Sequence, residues 1–139
     1  MDKQAPVSKI MTPKVIVANL NNQFTQVRDL FTKFSIHHLP VVDGEKVIGI
    51  ISTHDVIAAY EKVAKKSQAL TDDFLNEEIP IEKLMTKNPE TVSPEETIQK
   101  VVEKFYRTKY SALPVVENGK IKGIVTTNDL TRALKSWFT

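Results

Sequence analysis

Residues 39–56 read LPVVDGEKVIGIISTHDV, and residues 113–130 read LPVVENGKIKGIVTTNDL. Each stretch holds two β-branched runs around a turn-forming pair. In the first, Leu39 to Val42 and Val47 to Ile51 flank Asp43-Gly44; in the second, Leu113 to Val116 and Ile121 to Val125 flank Asn118-Gly119. Such runs fit strands, and Asp-Gly or Asn-Gly joining them signals a tight hairpin. Just beyond each hairpin Thr53 and Thr127 stand where a helix cap belongs, which predicts closing helices over Asp55 to Lys65 and Asp129 to Phe138.

These stretches are the best-matching part of a longer repeat. A shift of 74 residues sets Lys9, Met11 and Thr12 on Lys83, Met85 and Thr86, and Val27 and Phe31 on Val101 and Phe105, with no gap. Repetition at this scale means one supersecondary unit built twice. Upstream of the first hairpin, Val15 to Ala18 fits a short strand. A helix follows in both copies. In the second, Ser93, Pro94 and Glu96 form a capping box ahead of Ile98, Val101, Val102 and Phe105; in the first, Asn19, Asn21 or Asn22 caps a stripe of Phe24, Val27, Phe31 and Phe34. The unit is therefore βαββα, twice, a mixed α/β (α+β) fold. Its expected domains are 1–66 and 80–139, with the acidic stretch 67–79 as a linker holding a helical turn around Phe74 and Leu75.

Composition narrows the function classes. Apolar residues make up 41% and charged residues 26%, the proportions of an ordinary globular chain. No cysteine is present, which removes disulfides, thiolate nucleophiles and Cys-ligated metals. The net charge of +2 is small and the lysines are scattered, whereas a nucleic-acid surface needs clustered Lys and Arg. The chain opens Met-Asp-Lys-Gln without a secretory apolar core, and no apolar run approaches the roughly 20 residues that span a bilayer, so a cytoplasmic protein with no membrane contact is expected. There is no Walker loop and no nucleophile with a paired base, so no enzyme is expected either. His37 and His38 point to opposite strand faces and lack a third ligand, which leaves no metal site.

The two quoted stretches, together with KIMT at 9–12 and KLMT at 83–86, resemble the halves of CBS domains. The resemblance runs from about Val7 to about Leu134. It implies two βαββα units packed with pseudo-two-fold symmetry as a Bateman module, and a homodimer of such modules. It also implies clefts that hold an adenine nucleotide as a regulatory ligand, with no catalytic cofactor. A nucleotide needs an apolar slot, an acceptor for ribose hydroxyls and donors for phosphate. On the resemblance, Asp55 and Asp129 accept the ribose, Ser52 and Thr126 are their hydroxyl partners, and the glycine of each motif ends its strand so that ligand and backbone approach closely. The implied clefts are hybrids of both copies. One takes Thr12, Val15, Val17, Ile36, His37, His38 and Pro40 with Thr126, Asn128 and Asp129. The other takes Thr86, Pro89, Thr91, Tyr110, Ser111, Ala112 and Pro114 with Ser52, His54 and Asp55. At the two positions facing phosphate, His37 and Ser111, only His37 is ionisable, so modest affinity and a monophosphate are expected, with Lys14 and Lys109 assisting.

The same residues have plainer readings. An Asp in a first helical turn suits the helix dipole in any protein. Trp137-Phe138 is an apolar pair that reads as a dimer contact or as closure of the last helix, with the contact favoured. Two functions follow: a module that binds AMP, ADP, ATP or a related adenosyl ligand and signals to a separate effector protein, or a ligand-free scaffold for dimerisation and protein interaction.

Overall fold

In the computed structural model, which describes residues 2–138, the β-branched runs pair and the apolar stripes turn inward. The first repeat runs β1 (Ala18–Asn19), α1 (Phe24–Phe34), β2 (His38–Asp43), β3 (Lys46–Ser52) and α2 (Thr53–Ala64). After it come α3 (Asp72–Glu78), α4 (Ile81–Leu84) and β4 (Thr86–Lys87). The second repeat supplies α5 (Ile98–Arg107), β5 (Ala112–Glu117), β6 (Lys120–Thr126) and α6 (Thr127–Trp137). Its first strand is reduced to a parallel bridge from Val92 to Val115, the counterpart of the β1 to β2 pairing at Ala18 and Val41. The fold is thus mixed α and β, with βαββα order in both repeats.

Residues 16–89 form one compact unit. Its sheet has the order β1-β2-β3-β4, with β1 parallel to β2 and the other pairs antiparallel. Phe24, Val27, Leu39, Val41, Ile51 and Leu75 are its largest fully buried apolar side chains, and they share one core. Leu75 belongs to α3, so the helical turn expected within the acidic stretch is present over Asp72–Glu78 and packs on this core. Thr25 donates its N–H to Asn76 Oδ1 at 2.9 Å, and the Arg28 guanidinium meets Asp72 at 3.2 Å. The hydrogen bond to Asp72 holds the Arg28 pKa above its ordinary value.

Residues 2–15 with 90–138 form the other unit. Val7 is fully buried there with Val101, Leu113, Val115 and Val125. Thr12 and Ile124 exchange both main-chain hydrogen bonds, at 2.8 and 3.0 Å. In the first unit Thr86 of β4 pairs with Ile50 in the same way. The KIMT segment therefore completes the sheet of the second repeat, and KLMT completes that of the first. The compact units cut across the sequence repeats.

Five local expectations need correction. The first hairpin loop is Gly44-Glu45, because Asp43 still pairs with Lys46, and only Gly44 turns left-handed, at φ +62°. In the second, Asn118 and Gly119 both do, at +52° and +77°, as the dipeptide predicts. Helix α5 begins at Ile98, capped by Thr97, rather than at Pro94. The carbonyls of Pro94 and Glu96 accept from Ser8 and Val7, and the Ile98 N–H reaches Ala5, so the N-terminal segment has claimed the groups a longer helix needs. Helix α1 is capped by a Gln23 and Gln26 box, while Asn19, Asn21 and Asn22 bond among themselves. Finally, Ser52 and Thr126, not Thr53 and Thr127, cap the closing helices, which places Asp55 and Asp129 at N3. The strand expected over Val15 to Ala18 is in fact Ala18–Asn19.

Candidate functional site

Each closing helix starts with a reciprocal capping box, and that box positions the candidate carboxylate. Asp55 N–H donates to Ser52 Oγ at 3.1 Å, and Ser52 N–H donates back to Asp55 Oδ2 at 2.8 Å. Asp129 and Thr126 repeat the pattern at 3.1 and 2.9 Å. The preceding strands are tied to the same helix starts. Thr53 N–H donates to the His37 carbonyl and Thr127 N–H to the Ser111 carbonyl, both at 3.0 Å. In the sheets His38 pairs with Ser52 and Ala112 with Thr126.

The two carboxylates are not equivalent. Asp129 is only 2% exposed, and its oxygens meet four donors of the chain itself. Oδ2 accepts from Thr126 N–H and Thr126 Oγ1; Oδ1 accepts from Thr12 Oγ1 at 3.2 Å and Arg132 Nη1 at 3.1 Å. Asp55 is half-buried, and among the described residues its carboxylate accepts from Ser52 N–H through Oδ2 alone. Arg132 was not singled out from the sequence. Its i,i+3 spacing from Asp129 on a helix was the available signal. The position 74 residues earlier is Ala58, which can form no such pair.

From each aspartate an open groove runs along its helix. The one beside Asp55 holds about 430 Å³ and is lined by Ala58, Lys62, Lys66 and Lys83; the one beside Asp129 holds about 380 Å³ and is lined by Lys9, Met11, Arg132 and Trp137. Gly49 and Gly123 do not end their strands; they lie within β3 and β6. What approaches them is the exchanged segment. A Cβ on Gly123 would come 2.7 Å from the Thr12 carbonyl oxygen, and one on Gly49 would strike the Met85 thioether.

Of the first residue set, Thr12, Val15, Thr126, Asn128 and Asp129 share one unit, and Val17, Ile36, His37, His38 and Pro40 belong to the other. Of the second set, Ser52, His54, Asp55, Thr86 and Pro89 share a unit, and Thr91, Tyr110, Ser111, Ala112 and Pro114 belong to the other. Pro40, Ala112 and Pro114 are buried; His37, His54, Thr91, Tyr110, Ser111 and Asn128 are exposed. No group of three or more His, Cys, Asp or Glu among the described residues is arranged to hold a metal ion. No helix among them is long and apolar enough to cross a membrane.

His38 supplies a pH test. Burial, then the neighbouring His37, hold its pKa below the ordinary 6.5, against the opposing pull of Asp55. The unfolded chain therefore takes up the proton first. Stability is whole above pH about 6.5 and is lost as pH falls from there toward the lowered value. We expect the Tm to drop between about pH 7.5 and 5.5, and the His38→Gln variant to drop less. Identical slopes for the two proteins would remove His38 from the account.

The chain is similar to known proteins over nearly its whole length. The chain is 33% identical over 130 residues to the protein MJ0188 of Methanocaldococcus jannaschii, which covers 91% of this chain and 43% of that one. It is 30% identical over 133 residues to a homoserine O-acetyltransferase of Methanohalobium evestigatum, covering 94% of this chain and 24% of the enzyme. The chain thus spans less than half the length of these curated relatives. Among solved structures, the CBS domain pair of protein MJ0100, in complex with 5′-methylthioadenosine and S-adenosyl-L-methionine, is similar at TM-score 0.79 and 28% identity, covering 94% of this chain and 96% of that one. The CBS domain family matches residues 7–62 and 81–136, one match on each repeat, and the chain belongs to that family.

Proposed function

We propose that this chain is a non-catalytic regulatory module that binds an adenosyl ligand, such as AMP, ADP, ATP or a related sulfur-bearing nucleoside, through Asp55 with Ser52 and Asp129 with Thr126. The observation that carries the reading is the repeated helix start, where a carboxylate at N3 stands beside a hydroxyl at the N-cap. A carboxylate accepts from the two ribose hydroxyls, and the positive end of the helix dipole attracts an anionic oxygen. The adenosyl ligands of the similar MJ0100 pair support the ligand class. A ligand signals only if it binds two arrangements of the protein unequally. The signal then passes from a cytoplasmic homodimer to a separate effector protein.

Isothermal titration with AMP, ADP, ATP and S-adenosylmethionine tests this. Saturable binding of at least one is expected, weakened at least about tenfold, or lost from one site, by Asp55→Ala. No heat from any of the four, with an unchanged Tm, would defeat the reading in favour of a dimerising scaffold, for which exposed Ile57, Tyr60, Leu134 and Trp137 argue.

A further inference from the structure

We infer that the two carboxylates work as unequal sites, with Asp55 open and Asp129 held closed by Arg132. The inference rests on the adenosyl reading above and concerns which site fills first and what sets the order.

A ribose needs free acceptor capacity on the carboxylate. Asp55 offers it, since Oδ1 has no hydrogen-bond donor among the described residues. Asp129 offers little. A carboxylate has about four lone-pair positions, and here four donors engage it. One of those donors, the Thr126 N–H, belongs to the capping box and leaves only if the helix start unravels; the Thr126 hydroxyl stays beside it because it accepts the Asp129 N–H. The other two are replaceable. Thr12 is held by its main-chain bridge to Ile124, so its hydroxyl gives way only by rotation. The Arg132 side chain is 64% exposed and can swing into water at small cost. It is therefore the latch: an ion pair on the oxygen that a ribose hydroxyl would take, one helical turn along from Asp129.

The first unit has the capping box without the latch, and without the two hydroxyl contacts that Thr126 and Thr12 make to Asp129. Ala58 occupies the position of Arg132, is exposed, and lines the groove that leads from Asp55. An arginine placed there has room to reach back to the carboxylate as Arg132 does. The part of the inequality that a single side chain controls therefore sits at one position, 132 in one unit and 58 in the other. A partly exposed ion pair contributes up to about 1 kcal/mol, which sets the latch at up to about fivefold in affinity.

The test is titration of the whole chain with 5′-methylthioadenosine, an uncharged adenosyl probe that Arg132 neither attracts nor repels through a phosphate, with AMP as the second probe. The wild type should show a tighter site that Asp55→Ala removes and a weaker one that remains. Arg132→Ala should tighten the weaker site by about fivefold, and Ala58→Arg should weaken the tighter site by a similar factor, with Tm within a few degrees of wild type in both. Binding by the wild type that neither variant alters overturns the latch and leaves the adenosyl reading standing. Absence of binding of both probes to the wild type overturns that reading and the latch together.

Discussion

Gly123→Ala should lower the Tm by about 8 °C, whereas Gly49→Ala, the same change at the matching position, should lower it by a third of that or less. A Cβ at Gly123 would stand 2.7 Å from the Thr12 carbonyl oxygen and 2.9 Å from Met11 Sδ. The carbonyl is main chain and accepts the Ile124 N–H at 3.0 Å, so it cannot retreat without breaking the bridge that completes the sheet. Overpacking of that kind costs about 2–3 kcal/mol. At Gly49 the obstacle is the side chain of Met85, whose thioether can take another rotamer. Each alanine also recovers some of the conformational entropy that glycine loses in a strand, and at Gly49 this offsets much of the strain. The Gly123 variant carries a second signature. A displaced Thr12 takes its hydroxyl away from Asp129 Oδ1, so ligand binding at Asp129 should change together with stability. Thermal melts of the two variants in parallel decide the point. Equal losses would mean that the exchanged segments are not held as described.

That prediction needs the exchange of segments, which no local pattern in the chain announces. The hairpins were legible because β-branched runs and Asn-Gly or Asp-Gly carry their own geometry, and the 74-residue shift was legible because identical residues keep one spacing. Thr12 and Asp129 lie 117 residues apart, and their hydrogen bond arises from packing that brings the KIMT segment to the second sheet. The same packing overrode the capping box expected at Ser93, Pro94 and Glu96, whose signature is sound as a local signal but whose carbonyls the N-terminal residues had claimed. Asp55 and Asp129 could be found from the motif, since both stand at N3 behind a hydroxyl residue. Their inequality could not, because it depends on burial and on which donors tertiary packing delivers. Arg132 lies in between: its spacing from Asp129 was visible, but the spacing alone does not distinguish a pair on the surface from one that closes a buried carboxylate.

The inequality governs how the aspartate variants must be read. Asp129→Ala should destabilise the chain by about 3 kcal/mol, and Asp55→Ala by about 1 kcal/mol. Removing the buried Asp129 carboxylate strands the Thr126 N–H and hydroxyl, the Thr12 hydroxyl and the Arg132 guanidinium, and it takes away one half of a capping box. The Thr126 N–H and hydroxyl lose a partner that is only 2% exposed and are poorly placed to regain water, while the exposed Arg132 turns to solvent. Asp55 is half-buried and supports the Ser52 N–H alone, so its loss costs little beyond the cap. Urea unfolding of both variants measures the two costs directly, and near-equal values would show that the four-donor cluster adds nothing to the fold. If the costs differ as expected, loss of ligand binding in Asp129→Ala is ambiguous, because a loosened α6 start would abolish a site whether or not the carboxylate touches ribose. Asp129→Asn keeps the shape and one acceptor oxygen while removing the charge that Arg132 pairs with, and so separates the two causes. Asp55→Ala carries no such ambiguity, and binding lost there with the fold intact assigns the ribose contact to that carboxylate.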